Sequence, residues 1–349
     1  MLNTELGDKR FQSPGSSNMK IFLTGGTGLI GQPLTHALLR RGWTVVALAR
    51  NPHSPESQAI QSAGAHLVRG DVTDRESMRT GMSGVDAVIH NAGWYELGIT
   101  RSAQARMRAI NVSGTDNTLG LAVELKIPKI VYTSTIGAFG ATADTLADES
   151  YERRRPFRSF YEQSKTEAHA LATRYQQQGA PLIIICPSHV IGPGDQSAWG
   201  WFVRMYVRRI LPPFGFARNT KLSCVSVEDV AEAIALAVEK GQLGHTYITS
   251  GEEKTMEEII GIWAKTPGGS KPLVWLPYPI AMAVGIIAEP FLRLIGLPAF
   301  LSRESIESAY ENWLYTAAKA ERELGAKFRN AEQLWQETLA AERALARRK

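Results

Sequence analysis

Along the first half of the chain, short apolar runs and segments of helical periodicity take turns. Residues 19–24, 43–49, 66–69, 86–90, 129–133 and 181–186 are rich in aliphatic and aromatic side chains and have the length of buried strands. Between them, 32–41, 56–64, 100–125 and 161–178 read as helices; Leu34, Leu38 and Leu39 recur at helical spacing in the first of these, and Gly42 closes it. Alternation this regular predicts an α/β fold with a parallel sheet covered on both faces. Beyond about residue 188 the alternation loosens.

The first strand runs into Thr24-Gly25-Gly26-Thr27-Gly28-Leu29-Ile30-Gly31, which contains Gly26-x-Gly28-x-x-Gly31 and the overlapping Gly25-x-x-Gly28-x-x-Gly31. Glycines so spaced let the backbone turn tightly against a pyrophosphate, and the N–H groups that open the next helix face the anion. Strand, glycine turn and helix in this order predict a dinucleotide cradle. The second strand ends at Arg50, where an acidic residue would meet the adenosine ribose; a guanidinium there suits a 2′-phosphate and favours NADP(H), with NAD(H) the alternative. The third leads to Asp71 and Val72, with Asp71 placed to accept a hydrogen bond from adenine and Asp74 to cap the next helix. The fourth runs into Asn91, Ala92 and Gly93, against which a cofactor ribose can lie. Trp94 and Tyr95 follow, as a pocket wall or as core. Asn111, amid apolar neighbours, reads as a buried, satisfied amide. The fifth strand delivers Thr133, Ser134 and Thr135 to the sheet edge at which open α/β folds bind ligands. Tyr161 and Lys165, four apart, share a helix face.

Composition narrows the classes. At 349 residues with 44% apolar content, the chain can bury a sizeable core. The formal charge of +5 gathers in residues 153–158 and at the C-terminus, without interleaved aromatics, so no nucleic-acid partner is expected. Two isolated cysteines, Cys186 and Cys224, and seven unclustered histidines predict no metal site and fit a reducing, cytoplasmic setting. Residues 1–18 are polar, lack the apolar core of a secretory signal and read as a flexible extension.

Together with Gly70-Asp71-Val72, His90-Asn91-Ala92-Gly93, Asn111-Val112, Thr133-Ser134-Thr135 and Tyr161-x-x-x-Lys165, the glycine cradle resembles the extended short-chain dehydrogenases/reductases, the NAD-dependent epimerase/dehydratase type. The runs 187–195 and 225–231 look like the family's substrate-side motifs. The resemblance implies a Rossmann-type doubly wound parallel sheet with a smaller, interleaved C-terminal substrate lobe: a cofactor domain of 19–188 plus 222–240, and a lobe of 189–221 plus 241–349. It implies Thr135, Tyr161 and Lys165 as catalytic residues. Thr135 would orient the substrate oxygen, with Ser134 its near competitor, and the Lys165 ammonium would bring the Tyr161 phenol toward a working pKa. Cofactor contacts are implied at Gly25, Thr27, Gly28, Leu29, Ile30, Gly31, Arg50, Asp71, Val72, Asn91, Ala92, Gly93, Asn111, Thr133, Tyr161, Lys165, Pro187 and Ser188. Tyr95, Phe139, His189 and Trp199 would line the substrate pocket. A homodimer through the helices bearing Asn111 and Tyr161 is also implied.

Cys186-Pro187-Ser188 is similar to the dihydroflavonol reductases and 3β-hydroxysteroid dehydrogenases, which implies a hydrophobic small-molecule carbonyl or alcohol as substrate. Against this, Arg204, Arg208, Arg209 and Arg218 could hold the diphosphate of a nucleotide sugar, as in an epimerase or dehydratase with internally recycled NAD. A noncatalytic dinucleotide-binding scaffold or sensor is a third reading. The most apolar window, 275–301, is too broken by Glu289, Arg293 and four prolines to span a membrane. Core or lid is the favoured reading of that window, ahead of a partner subunit or peripheral contact with a membrane surface.

Overall fold

The computed structural model describes residues 18–295 and 301–347. All but the last residue of the extension expected at 1–18 lies outside these, as do residues 296–300 of the apolar window.

From its start the chain runs β1 (Lys20–Thr24), α1 (Gly31–Arg40), β2 (Thr44–Ala49), α2 (Pro55–Ser62), β3 (His66–Arg69), α3 (Arg75–Met82) and β4 (Ala87–His90). A long helix follows in three parts, α4 (Arg101–Arg108), a π turn (Ala109–Ser113) and α5 (Gly114–Glu124), then β5 (Ile130–Thr133), α6 (Phe160–Gln177) and β6 (Leu182–Pro187). Next come β7 (His189–Ile191), α7 (Ala198–Val207), β8 (Phe214–Phe216), β9 (Lys221–Ser226), α8 (Val227–Lys240) and β10 (Thr246–Thr249). The chain closes with β11 (Glu253–Thr255), α9 (Met256–Ala264), β12 (Val274–Leu276), α10 (Tyr278–Leu294), α11 (Arg303–Ala309), α12 (Ala318–Leu324) and α13 (Ala331–Arg347).

The main sheet has seven parallel strands in the order β10-β6-β5-β4-β1-β2-β3. It is a Rossmann-type, doubly wound sheet, and strand periodicity explains how it is covered. Ile21 and Leu23 of β1 point into one apolar layer with Leu34 and Leu38 of α1 and Ile234 of α8, whereas Phe22 points into the other with Met78 of α3 and Leu119 of α5. Each such side chain, fully buried, contributes roughly 1.5–3 kcal/mol. The order reverses between β1 and β4, so the crevice beyond their carboxyl ends is the expected ligand position.

Two strands differ from the sequence expectation. Thr246–Thr249, within the stretch expected for the lobe, is the seventh strand of the main sheet and pairs with β6. Strand β9 instead pairs with β7 and β11 in a separate three-stranded sheet. Only α8 returns to the main sheet, tied to the end of α1 by Arg41 with Glu232 and by Arg41 Nε to Glu239 at 3.1 Å. Beside these, β8 and β12 form a two-stranded sheet, and Trp335 of α13 packs between Trp199 of α7 and Trp263 of α9, with ring centroids 5.6 and 5.1 Å away.

Candidate active site

A cavity of about 1450 Å³ opens at the carboxyl ends of the central strands. Gly25, Thr27, Gly28, Leu29 and Ile30 line one end. Gly25 has φ +71°, and a Cβ there would lie 2.7 Å from the backbone nitrogen of Ala92, so the turn rests directly on the end of β4. Gly31 faces away from the cavity: a Cβ there would lie 1.9 Å from the Gly25 carbonyl oxygen. It lets α1 start against the turn and is no lining residue, which corrects its expected place in the binding surface. The first turn of α1 has neither a capping side chain nor an acidic residue; Gln32 N–H is bound to Gly28 O at 3.1 Å, Leu34 N–H to Ile30 O at 3.0 Å, and Pro33 has none, so an anion would face the N–H groups of the glycine turn just ahead of them.

Arg50 is exposed at the cavity edge and has no hydrogen-bond or ion-pair partner among the described residues. His36 and Arg40 of α1 line the same end, together with Glu56. Asp71 and Val72 are also there; one Asp71 oxygen accepts from the Thr73 N–H at 2.9 Å and hydroxyl at 2.8 Å.

In the middle, Asn91, Ala92 and Gly93 form the floor. Their path is set from below: Ala92 N–H donates to the Thr24 hydroxyl at 3.2 Å, and that hydroxyl bonds His90 Nδ1 at 2.8 Å. The far ring nitrogen of His90 meets Thr115 Oγ1 at 3.0 Å. Burial, with the Lys165 charge adding to it, pushes the His90 pKa down to about 3, so it is a neutral link between β1 and α5. Asn111 lies outside the cavity lining. Its side chain accepts from Trp94 N–H at 2.7 Å and donates to Trp94 O and Ser164 Oγ at 3.0 Å each. It fixes the wall instead of touching a ligand, from within the π turn that interrupts the helix.

At the head of the cavity Thr135, Tyr161 and Lys165 meet. The Thr135 side chain lies beside the Tyr161 phenol, and its hydroxyl accepts from Gly137 N–H at 3.1 Å. The Ser134 hydroxyl is taken by His169 Nδ1 at 2.9 Å, which separates the two candidate hydroxyls in favour of Thr135. Lys165 is buried and donates to Thr133 O and Tyr132 Oη, both at 3.3 Å. Burial draws its pKa down, but the Tyr132 and Tyr161 phenols more than offset this and the net direction is upward, so it is an ammonium at neutral pH. For Tyr161 the direction is the reverse of the sequence expectation. Burial raises its pKa by more than Lys165 and Thr135 lower it, and the phenol of the ligand-free site is fully protonated at neutral pH.

Pro187 and Ser188, implied as cofactor contacts, and Tyr95, His189 and Trp199, implied for the substrate pocket, all line the cavity. Phe139 does not: it is buried, with its ring 5.0 Å from His169 and 6.2 Å from Tyr315, and it supports the site from the core. None of Arg204, Arg208, Arg209 and Arg218 lines the cavity. Arg204 is bound to the Asp195 carbonyl and lies 4.0 Å from Glu342, and Arg218 pairs with Glu257 at 2.7 Å.

Sequence reasoning missed Trp313 and Ser308, which complete the wall from distant segments, together with Asp195 at the end of the 187–195 run. It also missed Arg153. This guanidinium bonds Gly137 O and Glu162 Oε2, the latter at 2.9 Å, and so ties the turn after Thr135 to the helix residue beside Tyr161. Arg153→Met is expected to lower kcat about tenfold with the cofactor KM within about twofold, because alignment of the two hydroxyls is lost and the cradle is untouched. Steady-state kinetics with varied cofactor checks this, and an unchanged kcat would remove Arg153 from the site.

A family model described as the NAD dependent epimerase/dehydratase family matches residues 21–249. The chain belongs to this family. It is an NAD(P)-dependent oxidoreductase of the extended short-chain dehydrogenase/reductase type. The enzyme is 31% identical over 312 residues, 87% of this chain and 89% of the relative, to a Synechocystis sp. protein provisionally named a dihydroflavonol 4-reductase. It is 28% identical over 280 residues, 79% of this chain and 82% of the relative, to a 4-hydroxy-2-methyl-3-oxo-4-farnesyl-3,4-dihydroquinoline-1-oxide ketoreductase of Stigmatella aurantiaca. Among solved structures, the crystal structure of gox2253 superposes with a TM-score of 0.78 at 27% identity, over 95% of this chain and 99% of that one. Among the described residues no helix of the enzyme is long and apolar enough to cross a membrane, and no group of three or more metal-ligating side chains gathers.

Proposed function

We propose that the enzyme reduces the carbonyl of a hydrophobic small molecule with NADPH, or oxidises the corresponding secondary alcohol with NADP+. The observation that carries this is the meeting of Thr135, Tyr161 and Lys165 at the head of a cavity whose buried polar atoms lack protein partners. Asn91 Oδ1, Thr133 Oγ1, Ser188 Oγ and His189 Nδ1 are buried without hydrogen bonds, and all four residues line the cavity. Each such atom costs free energy unless satisfied, so their gathering fits a ligand rich in hydroxyl and amide groups, as the nicotinamide riboside half of the cofactor is.

When bound, the nicotinamide would exchange a hydride with the substrate carbon. Thr135 would hold the substrate oxygen, and Tyr161 would give it a proton in reduction or take one in oxidation. Lys165 would stabilise the phenolate that reduction leaves and bind the ribose hydroxyls. Trp94, Tyr95, Leu97, Ile136, Trp199 and Trp313 make the substrate end apolar, which supports a hydrophobic substrate. The printed names of the two relatives point the same way. The arginines that would favour a nucleotide sugar are engaged elsewhere or lie outside the cavity.

NADP(H) preference rests on Arg50, supported by His36 and Arg40 around the same end. Absorbance at the nicotinamide band, followed with a panel of aryl and alicyclic ketones, should show one NADPH consumed per product. Turnover of a nucleotide sugar with no net change in absorbance would overturn the reading. Arg50→Asp is expected to lower the NADPH-to-NADH ratio of kcat/KM about a hundredfold, since it exchanges attraction for repulsion at a 2′-phosphate. A wild-type preference for NADH would sink the cofactor assignment.

A further inference from the structure

Among the described residues of the apolar window read from sequence as core or lid, many of the large side chains are uncovered. Helix α10 buries Ala281, Gly285 and Leu292 toward α11, where a Cβ on Gly285 would lie 3.0 Å from Ile306. Its outward stripe, Ile280, Ile287, Phe291 and Leu294, would ordinarily be polar, yet Ile287 is 72% and Leu294 83% exposed. Further exposed aliphatics lie on the strand edge that leads into α10, where β12 pairs with β8 and the Leu273 N–H donates to Pro213 O at 2.8 Å; Leu273 is 83% exposed and Ile210 60%. Scattered exposed aliphatics need no explanation, but four along one stripe of a single helix do.

Charge indicates what covers it. From 196 to 217 and from 259 to 288, the segments that build this face, the sequence has no acidic residue, while Arg208, Arg209 and Lys271 are exposed within them; Lys271 also lies near Glu257 and shares a shallow hollow with Glu252, Glu258 and Glu332, so Arg208 and Arg209 are the cations without a carboxylate neighbour in sequence. The carboxylates of α10 and α11 are engaged: Glu289 with Arg293 at 2.8 Å, Glu307 with Arg303 at 3.0 Å, and Glu304 with the Gly98 N–H at 2.6 Å. An apolar centre with a basic rim complements an anionic phospholipid surface. A second copy related by a two-fold axis would set the same cations against each other.

We infer that α10 and the β8–β12 edge seat the enzyme on an anionic phospholipid bilayer, with α10 lying in the interface. The inner side of this element holds the cavity wall. Arg293 bonds Gly98 O and Glu304 bonds Gly98 N–H, in the loop that carries Trp94, Tyr95 and Leu97, while Ser308 of α11 lines the cavity itself. A hydrophobic substrate dissolved in lipid therefore has the pocket mouth beside its source.

The test is cosedimentation of the full chain with vesicles of phosphatidylcholine alone or with about 30% phosphatidylglycerol, alongside sedimentation velocity without lipid. Binding is expected to the anionic vesicles, and the bound fraction is expected to fall about tenfold in the Ile287→Glu/Leu294→Glu variant. Arg209→Glu/Lys271→Glu leaves the apolar face intact and is expected to fall several-fold. Circular dichroism melts show whether each variant is folded. Wild type that stays in the supernatant, or folded variants that bind as well as wild type, would overturn the inference. So would a lipid-indifferent dimer that the Ile287→Glu/Leu294→Glu variant splits into monomers, which would assign the face to a second copy.

Discussion

Tyr161→Phe is expected to lower kcat by about a thousandfold while leaving the Kd for NADPH within about twofold. The ring would still sit edge-on to Tyr95, whose centroid is 4.7 Å away, so the substitution removes one oxygen and leaves the packing. What disappears is the hydroxyl that lies beside Thr135 and that the Lys165 charge acts on. Because burial holds this phenol above its ordinary pKa, it carries its proton throughout the neutral range. Reduction should therefore be flat with pH around neutrality and decline only on the alkaline side, where the proton is lost. Stopped-flow hydride transfer beside fluorescence titration of NADPH separates the two quantities; a variant that keeps wild-type turnover would discard Tyr161 as the proton carrier.

The second large effect belongs to Gly31→Ala. The added carbon would lie 1.9 Å from the Gly25 oxygen and 2.7 Å from Gly26 Cα, all backbone, so no side chain can swing aside. Either α1 moves off the turn or the turn opens, and both pull the helix N-terminus from the place an anion would occupy. Overpacking a rigid site typically costs about 1–3 kcal/mol, and here it also spoils the cradle. The expected result is a lowered melting temperature and an NADPH Kd weakened at least about a hundredfold. Wild-type affinity in this variant would show that the glycine turn does not hold the cofactor.

What the sequence discloses and what it hides follow physical lines. Strands β1 to β6 are legible because buried parallel strands are near-continuous apolar runs, and the cradle because only glycine meets its backbone geometry. Thr135, Tyr161 and Lys165 are legible through spacing and order, and the structure brings them together. Asn111 is, as its apolar neighbours indicate, a buried and satisfied amide within the π turn; its bonds go to Trp94 and Ser164, and it lies outside the cavity lining where the resemblance implied a cofactor contact. Phe139 stood near the site in sequence, yet an aromatic ring says nothing about which side of a turn it packs on. Trp313 and Arg153 reach the site through tertiary contacts that no local pattern encodes. The direction of the Tyr161 shift depends on burial, which a list of charged neighbours does not contain.

Strand β10 carries a consequence for how the molecule is made. Roughly sixty residues, the whole of β7 to α8, separate it from its partner β6, and loop closure of that length is slow relative to local structure. The Thr249 carbonyl accepts the Ser188 N–H at 2.9 Å, so one wall of the cavity is fastened only after residue 249 has emerged from the ribosome. Until then the nascent chain presents the open edge of an apolar strand, the state in which α/β proteins most need a chaperone.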